Sequence, residues 1–530
     1  MAVPWWRDAV VYQVYLRSFA DSDANGEGDL PGLRSRLTYL ASLGVDAIWL
    51  NPFYPSPMRD SGYDITDYCD VDGRFGTLTD FRDLIEDAAA LGIRIIVDIV
   101  PNHCSSEHPW FQQALSAGPE SPARERFIFR DAPNNWQSIF GGPAWTQTAD
   151  GQWYLHLFDA SQPDFNWRHP DVPAMFEQVL RFWLNHGVAG VRIDMANTLF
   201  KDTELPDRDM ASPVVPYYDQ PELHGLYRSW RKILDSYRGD AFPGPRGAIG
   251  EIWFTNPDSA RPYLAKDELP QLFNLRLLLT PWTARELRVV IDEARGLTTR
   301  SGASLPWVLG NHDITRVVSR LGIDQALIRH PTDALRRGMV PGDLSLGTRR
   351  ARAAALVLLA LPGGAYIYQG DELGLPEYLD IPADRRQDPT FYRTDGAAVG
   401  RDGCRIPMPW SGDVPPYGFA DRPLRTWLPQ PSDWARLTVA AQLSDPESML
   451  NLYRAALRLR REHPALGDGE MTWTETGADQ LAFTRDPGFG FFANLGDEPV
   501  GIPPSSRVLL SSGPLEGPLL PPDTAVWLQQ

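Results

Sequence analysis

Three acidic residues each follow a short apolar segment, at the point where that segment gives way to a predicted loop. They are Asp194 in GVRIDMAN, Glu251 in IGEIWF and Asp313 in LGNHDIT. Cleavage of a glycosidic bond needs one carboxylate to attack or stabilise the anomeric carbon and one carboxylic acid to protonate the leaving oxygen. If a fold gathers these strand ends at one face, the three acids predict a sugar-cleaving site.

Sequence neighbours predict a different role for each acid. Arg192 lies two residues before Asp194 on the same strand, so both side chains point to the same side, and its charge favours an ionised nucleophile. Apolar residues and a tryptophan surround Glu251, a setting that favours the protonated form needed by a general acid. Asp313 then binds sugar hydroxyls and favours a distorted ring, without forming a bond itself.

Other chemistries fit the sequence less well. His103 and His312 accompany neither an HExxH motif nor a His pair four residues apart, so we interpret them as neutral hydroxyl donors and not as zinc ligands. A G-x-S-x-G nucleophile turn and a G-x-x-x-x-G-K phosphate loop are also absent. A single acid would more simply cap a helix or pair with an Arg, but three acids in this order with their partners favour catalysis.

Eight apolar runs of strand length must position these residues. They are VVYQVYL (10–16), AIWLNPF (47–53), IRIIVDIV (93–100), GVRIDM (190–195), AIGEIWF (248–254), LFNLRLLL (272–279), PWVLGN (306–311) and GAYIYQG (364–370). Segments with apolar residues three and four positions apart, ending in Gly, lie between several of them and predict helices. Alternating strands and helices predict an α/β fold with a parallel sheet. Eight repeats favour a (β/α)8 TIM barrel over a doubly wound sheet, because Asp98 and the other acidic strand ends then converge on one face.

Two further parts are predicted outside the catalytic barrel, which comprises residues 1–103 and 171–465. The connection between the third and fourth strands is far longer than usual, so 104–170 is predicted to be an inserted lid subdomain over the barrel mouth. After an amphipathic segment at 447–466, alternating patterns and Pro-rich turns predict a C-terminal all-β sandwich over 466–530.

The segment DSDANGEGDL brings oxygen-bearing side chains close together, with glycines for the bend. Asp21, Asp23, Asn25 and Asp29, with the backbone carbonyl of Glu27, could wrap a structural Ca²⁺ in the manner of an EF-hand loop. An acidic surface turn is the alternative interpretation. No organic cofactor is predicted.

Composition restricts the partners. The formal net charge of −18 repels phosphate backbones and anionic lipid surfaces, so neither nucleic acid nor a membrane is expected to bind. Cys69, Cys104 and Cys404 lack any CxxC spacing and cannot pair completely, which favours a reducing compartment. Neither a basic and apolar leader nor a run of about 20 apolar residues is found, so a cytoplasmic location is expected.

Seven segments closely resemble the α-amylase family of glycoside hydrolases, in particular its oligo-1,6-glucosidase and α-glucosidase branch. DIVPNH, GVRIDMAN, GEIW and NHD are similar to the four hallmark segments of the family, and QPDFNW, GYDITDY and RDGCRIPMPW to further segments of the branch. The resemblance runs from about Trp5 to Leu466. It implies a retaining double displacement, with Asp194 as nucleophile, Glu251 as acid/base and Asp313 as transition-state stabiliser.

The resemblance also implies the residues that hold a terminal glucose. They are Tyr63, Asp64, His103, Phe158, Arg192, His312 and an Arg of the 401–405 segment, with Arg405 preferred over Arg401. DSDANGEGDL resembles the calcium loop of the branch. Met195 follows the nucleophile, where family members with valine tend to favour α-1,6 bonds and those with threonine or alanine α-1,4 bonds, so the linkage preference stays open.

An exo-acting α-glucosidase that releases glucose from the non-reducing end of short α-glucoside oligosaccharides is the main expectation. The same site could serve a trehalose synthase, a sucrose isomerase or a transglucosylase, depending on whether water or a sugar reaches the glucosyl intermediate first. A non-catalytic transporter-associated subunit is a third interpretation. Such relatives carry a membrane anchor and lose catalytic acids, whereas this chain retains all three acids.

Overall fold

The computed structural model describes residues 4–237, 244–254, 257–301, 303–325, 342–504 and 506–530. In chain order its strands are β1 (Val10–Val14), β2 (Ala47–Leu50), β3 (Arg94–Ile99), β4 (Phe129–Arg130), β5 (Trp145–Gln147), β6 (Trp153–Leu155), β7 (Gly190–Ile193), β8 (Gly247–Gly250), β9 (Gln271–Leu272), β10 (Trp307–Val308), β11 (Ala365–Tyr368), β12 (Thr472–Trp473), β13 (Gln480–Arg485), β14 (Phe489–Asn494), β15 (Val500–Gly501), β16 (Arg507–Ser511), β17 (Leu519–Leu520) and β18 (Thr524–Gln529).

Eight parallel strands form the barrel, in the order β10, β11, β1, β2, β3, β7, β8 and β9. Parallel bridges from Gln271 to Ser304 and from Asn274 to Trp307 join the two ends of this sheet and close it. Nearly every residue of these strands is buried, as expected where helices cover the outer face of a parallel sheet and side chains fill its interior. The predicted (β/α)8 barrel is therefore confirmed.

The sixth predicted strand, LFNLRLLL over 272–279, is largely wrong. Its strand part ends at Leu272, and Leu275–Leu279 form a helix of their own. A continuous apolar run has no periodicity that separates a buried strand from a buried helix, and leucine and arginine both favour the helix.

The helices between the strands range from 4 to 18 residues in length. They are α1 (Leu30–Ser35), α2 (Leu37–Leu43), α3 (Leu78–Ala90), α4 (Pro109–Ala117), α5 (Asp171–Asn185), α6 (Glu222–Ser236), α7 (Pro257–Ala260), α8 (Leu275–Leu279), α9 (Ala284–Ser301), α10 (Val317–Leu321), α11 (Leu344–Ala360), α12 (Pro389–Arg393), α13 (Val439–Ser444) and α14 (Met449–Glu462). Gly44, with φ of 97°, ends α2, a conformation that glycine adopts without steric cost. None of the described helices is both long and apolar enough to cross a bilayer.

Two groups of antiparallel strands lie outside the barrel. β4, β6 and β5 form a three-stranded sheet within the 104–170 segment. Near the C-terminus, β12, β13, β14, β18 and β16 form a five-stranded sheet, and β15 pairs with β17. The indole of Trp527 in β18 donates a 3.1 Å hydrogen bond to the carbonyl of Leu356 in α11, which fastens this sheet to the barrel. The three domain boundaries given by the sequence stay a prediction.

Candidate active site

Strand register places the acids side by side. Asp98 in β3 pairs with Arg192 in β7. The amide of Asp194 donates to the carbonyl of Ile99 at 2.9 Å, and the amide of Glu251 donates to that of Ile193 at 2.9 Å. The ladder thus continues one residue beyond β7 and β8, so that neighbouring strands carry Asp194 and Glu251 at the same height. The carboxyl ends of barrel strands are where such folds assemble active sites.

One guanidinium connects three of the acids. Nη1 of Arg192 lies 2.7 Å from Oδ1 of Asp194 and 2.7 and 2.8 Å from the two carboxylate oxygens of Asp98. Nη2 of Arg192 donates to Oε2 of Glu251. All four side chains are buried. Asp98 received no chemical role from the sequence beyond its strand-end position, and the structure makes it a direct partner of the arginine.

Burial controls the protonation of this group. It raises the pKa of Asp194 well above the usual aspartate range, Arg192 opposes this shift, and the nearby charges of Glu251 and Asp98 add to it. Burial likewise raises the pKa of Asp98 to about 7, against the charge of Arg192. Arg192 therefore lowers the pKa of Asp194, as predicted, but the effect of burial is larger.

Asp313 has the opposite electrostatic setting. Burial alone would raise its pKa, but the charges of Arg401 and Arg405 hold the pKa below the usual aspartate value. Its Oδ1 accepts from Nη1 of Arg401 at 3.0 Å and from Nη2 of Arg405 at 2.9 Å. Asp313 is thus the permanently ionised acid of the site, which suits a residue that stabilises positive charge without bonding to it.

Both histidines are neutral. Burial lowers the pKa of His103 to about 4 and that of His312 further below its usual value. Gln13 donates to Nδ1 of His312 at 2.8 Å, so the single ring proton lies on Nε2, which is 2.7 Å from the hydroxyl of Tyr63. That hydroxyl donates in turn to Asp98 at 3.0 Å. In this structure the proton of His312 points to Tyr63, and Gln162 faces Nε2 of His103 at 3.1 Å, so the interpretation of both histidines as donors to sugar hydroxyls stays a prediction.

The acids open into a cavity of about 520 Å³ between the barrel and the 104–170 segment. Eight of the residues singled out from the sequence line it, namely Tyr63, His103, Phe158, Asp194, Glu251, His312, Asp313 and Arg401. Arg192 does not line the cavity but binds Asp194 and Glu251, which do. Met195 also lines the cavity and has φ of 43°, a conformation uncommon for residues other than glycine and often found at functional sites.

Asp64, predicted to bind glucose, does not line the cavity. Its carboxylate accepts from the hydroxyl of Ser56 and from the amides of Arg59 and Asp60, each at 3.0 Å, so it supports the loop in front of it. Burial raises the pKa of Asp64 to about 6. Asp60 lines the cavity instead of Asp64 and was not predicted from the sequence. Two aspartates four residues apart in one loop carry no signal that tells which of them faces the ligand.

Arg401 and Arg405 have different positions. Arg401 lines the cavity, pairs with Asp60 at 2.7 Å, also pairs with Asp388, and lies over the ring of Phe140 from the lid segment at 4.7 Å. Arg405 is fully buried and donates from Nε to the carbonyl of His312 at 2.8 Å. The preference for Arg405 as the sugar-binding arginine is therefore not supported by its position, because it reaches the cavity only through Asp313.

The predicted metal loop brings three of its acids together. One carboxylate oxygen each from Asp21, Asp23 and Asp29 lies within 4.8 Å of the others. Glu27 directs its carboxylate to Arg17, at 2.5 Å, which leaves only its backbone carbonyl for a ligand. The side chain of Asn25 accepts from the amide of Glu27 at 2.8 Å. A cluster of oxygen donors of this kind fits a hard cation such as Ca²⁺.

A barrel with paired carboxylates at its strand ends, beside the 104–170 segment, has the arrangement that glycosidic cleavage needs. Residues 13–469 match the family model described as alpha amylase, catalytic domain, and residues 491–527 match a domain of unknown function, DUF3459. The chain belongs to the alpha-amylase family, and the family and curated relatives together make it a glycoside hydrolase.

Relatives of known sequence and structure agree with this assignment. The chain is 37% identical over 527 residues to a probable alpha-glucosidase of Rhizobium meliloti (strain 1021), covering 93% of this chain and 90% of that protein. It is 32% identical over 516 residues to oligo-1,6-glucosidase IMA5 of Saccharomyces cerevisiae, covering 87% and 84%. The crystal structure of the alpha-glucosyl transfer enzyme XgtA superposes with a TM-score of 0.85 at 33% identity, covering 99% of both chains.

Proposed function

We propose that the protein is a retaining, exo-acting α-glucosidase that hydrolyses the terminal non-reducing glucose of short α-linked oligosaccharides. The observation that carries this proposal is the sharing of Arg192 by Asp194 and Glu251 at the wall of one cavity. A nucleophile and an acid/base on adjacent strands are what double displacement at an anomeric carbon needs.

The reaction proceeds in two balanced steps. In the first step a carboxylate oxygen of Asp194 attacks the anomeric carbon, and the bond to the glycosidic oxygen breaks as that oxygen takes the proton of Glu251. In the second step water attacks the same carbon, gives its proton to Glu251 and displaces Asp194. Asp313, held ionised by its arginines, stabilises the positive charge that develops on the sugar ring in both steps.

The ion pairs of Arg401 support the proposed exo mode of action. Arg401 joins Asp60 of one barrel loop to Asp313 of another, and Phe140 of the lid segment covers the guanidinium. We infer that these ion pairs block the passage of a sugar chain, so that a terminal residue fits and an internal one does not.

Product analysis tests the proposal. We expect the protein to release glucose from at least one of maltose, isomaltose and sucrose, and we expect a maltotriose with a labelled reducing end to give unlabelled glucose first if the α-1,4 bond is accepted. Absence of glucose from all three disaccharides, with the protein folded, would refute the proposal. Labelled glucose released first would refute the exo mode of action alone.

Glucosyl transfer is the second candidate, supported by the similarity to XgtA, which is an alpha-glucosyl transfer enzyme. Beside the acids, the cavity is lined by apolar and aromatic side chains such as Met195, Tyr218 and Trp253, a surface on which a sugar acceptor can stack in competition with water. Formation of trisaccharides at high disaccharide concentration distinguishes transfer from hydrolysis.

We also propose a structural Ca²⁺ held by Asp21, Asp23, Asn25, Asp29 and the carbonyl of Glu27. The three clustered carboxylates support it. Burial raises the pKa of Asp21 and of Asp29, a cost that a bound cation would offset. The loop follows β1, and the carbonyl of Gly26 accepts a hydrogen bond from the amide of Trp427 at 3.0 Å. An ion in this loop therefore stabilises the barrel and takes no part in the reaction.

A cytoplasmic location is proposed from the free cysteines. Cys69 is partly buried, whereas Cys104 and Cys404 are buried, and all three are unpaired. Fractionation of cells that express the protein, with and without an added secretion leader, tests whether activity survives only in the reducing compartment.

A further inference from the structure

Trp253 contacts the proposed acid/base directly. Its indole Nε1 lies 3.0 Å from Oε1 of Glu251 and donates a hydrogen bond to it. Trp253 follows the end of β8 by three positions and lines the cavity. Among the described residues, Glu251 is the one acceptor that the indole nitrogen reaches.

Both oxygens of Glu251 therefore face groups that only donate. Oε2 accepts from Arg192, and Oε1 accepts from Trp253. Neither a guanidinium nor an indole N–H can accept a hydrogen bond. Each carboxyl oxygen has a second lone pair, so Glu251 can carry a proton beside these two donors. Turning one oxygen away from its donor would aim that proton at a leaving group.

Arg192 is the donor from which the carboxyl group of Glu251 can turn away. Its other nitrogen stays bound to both oxygens of Asp98 and to Asp194, so its charge remains compensated. Nη2 of Arg192 would lose its bond to Glu251, but the same guanidinium keeps its bonds to Asp98 and Asp194, whereas the indole of Trp253 would keep no bond among the described residues. Oε1 is thus the oxygen that remains in place.

Packing fixes the direction in which the indole points. The ring of Trp253 packs against a cluster inside the barrel that includes Ile249 and Phe273, and also against a cluster that includes Phe158 and Met195. Contacts with both clusters restrict the rotation of the ring. The N–H therefore keeps its aim while the carboxyl group of Glu251 rotates.

We propose that Trp253 is a positioning residue for Glu251 that selects leaving groups needing protonation, such as the sugar alkoxide of a disaccharide. Oε1 stays on the indole while Oε2 turns from Arg192 to the glycosidic oxygen. The Oε2–H bond breaks, the proton goes to that oxygen, and its bond to the anomeric carbon breaks with the electron pair kept by oxygen. Trp253 keeps its own proton throughout and stabilises the remaining carboxylate. This inference rests on the proposed α-glucosidase reaction.

Substrates that differ in their leaving group test the role. Maltose, or whichever disaccharide the unaltered protein cleaves best, needs a proton on its leaving oxygen, whereas α-glucosyl fluoride releases fluoride without one. In Trp253→Phe, which keeps the aromatic surface but lacks the N–H, kcat/KM for the disaccharide should fall about 10- to 30-fold, and that for the fluoride less than about threefold. The ratio of the two losses is the measured quantity.

The matched control is Trp145→Phe. Trp145 is buried in the cluster that includes Phe158, and its indole donates to Asn134 at 2.7 Å, away from the acids. Both substrates should change equally in this variant. Equal losses for both substrates in folded Trp253→Phe, or no loss for either, would overturn the inference. If that variant does not fold, Trp253→Leu is compared in the same way.

The design separates this inference from the one on which it rests. If the unaltered protein turns over neither the disaccharides nor the fluoride, the proposed function itself is refuted. If it turns over both and only the selective loss in Trp253→Phe is missing, the α-glucosidase reaction stands and the role of Trp253 is rejected.

Discussion

Nη1 of Arg192 lies 2.7 Å from Oδ1 of Asp194. The two residues are two positions apart on one strand end, so their side chains share the interior face of the barrel. Arg192 also binds Asp98 and Glu251, and the four side chains form one buried group. Stability and catalysis therefore depend on the same guanidinium.

Removal of this guanidinium should destabilise the protein strongly. In Arg192→Met three buried carboxyl groups lose their shared cation, and we expect the free energy of unfolding to fall by about 3 to 5 kcal/mol, with activity lost. Denaturant unfolding measures the change. Arg34→Met is the control, because Arg34 also pairs with two carboxylates, Asp83 and Asp87, but on the surface. Losses of similar size in both variants would contradict this role of Arg192.

The position of Asp64 predicts a pH-dependent effect. Burial raises the pKa of Asp64 to about 6 in the native protein, whereas the pKa is about 4 in the unfolded chain. Between these two pH values the native protein keeps a proton on Asp64 that the unfolded chain has released. Its stabilising contribution is complete below pH 4 and is lost as the pH rises through 6. Asp64→Asn removes this titration. The variant should therefore gain about 2 to 3 kcal/mol relative to the unaltered protein between pH 4 and pH 7. A pH-independent difference would contradict the assignment.

The same variant also tests Asp64 as a support for Asp60. The amide group of an asparagine cannot accept all the hydrogen bonds from Ser56, Arg59 and Asp60 that the carboxylate accepts. We expect Asp64→Asn to raise KM for a cleaved disaccharide, and Asp60→Asn to raise it further. An Asp64→Asn effect larger than that of Asp60→Asn would instead place Asp64 against the sugar.

Arg401 and Arg405 should respond differently to replacement by lysine. Arg401 lines the cavity, so Arg401→Lys should raise KM by about 10-fold through the loss of charged hydrogen bonds near the sugar. Arg405 is buried beside the carbonyl of His312, so Arg405→Lys should mainly lower the thermal midpoint. Steady-state kinetics and thermal unfolding of both variants measure the contrast, and the reverse pattern would restore Arg405 as the sugar-binding arginine.

Calcium should stabilise the loop after β1. After treatment with a chelator, added Ca²⁺ should raise the midpoint of thermal unfolding by about 2 °C or more, because a ligand that binds only the native state stabilises it. Asp23→Ala should abolish this response. The control is Asp67→Ala. Asp67 is also exposed, and like Asp23 it accepts a hydrogen bond from the backbone amide two residues later in the chain. A response that survives in Asp23→Ala would reject the site.

The barrel and its acids could be predicted because their signals are local. Each barrel strand is a short apolar run, and Asp194 and Glu251 follow directly at strand ends, so the parallel order alone brings them together. The helix Leu275–Leu279 could not be predicted, because its leucines are buried in a run without periodicity. Packing, and not the sequence pattern, decides whether this segment forms a strand or a helix.

Loop side chains were predicted less well. Asp60 and Asp64 differ only in which one the backbone turns toward the cavity, and Met58 and Ser61 adopt positive φ in that turn although neither is a glycine. The sequence likewise shows Trp253 beside Glu251 but not the direction of its indole N–H, which is set by two packed clusters from distant parts of the chain.

Trapping of the glucosyl intermediate tests the central claim most directly. The protein is incubated with 5-fluoro-α-glucosyl fluoride, which forms the glucosyl ester quickly and releases it slowly, and is then digested and analysed by mass spectrometry. We predict a fluoroglucosyl group on the peptide that contains Asp194, and none in Asp194→Ala. A label on Asp313 or Glu251, or glucose of inverted anomeric configuration released from an α-glucoside without any labelled peptide, would contradict the retaining mechanism.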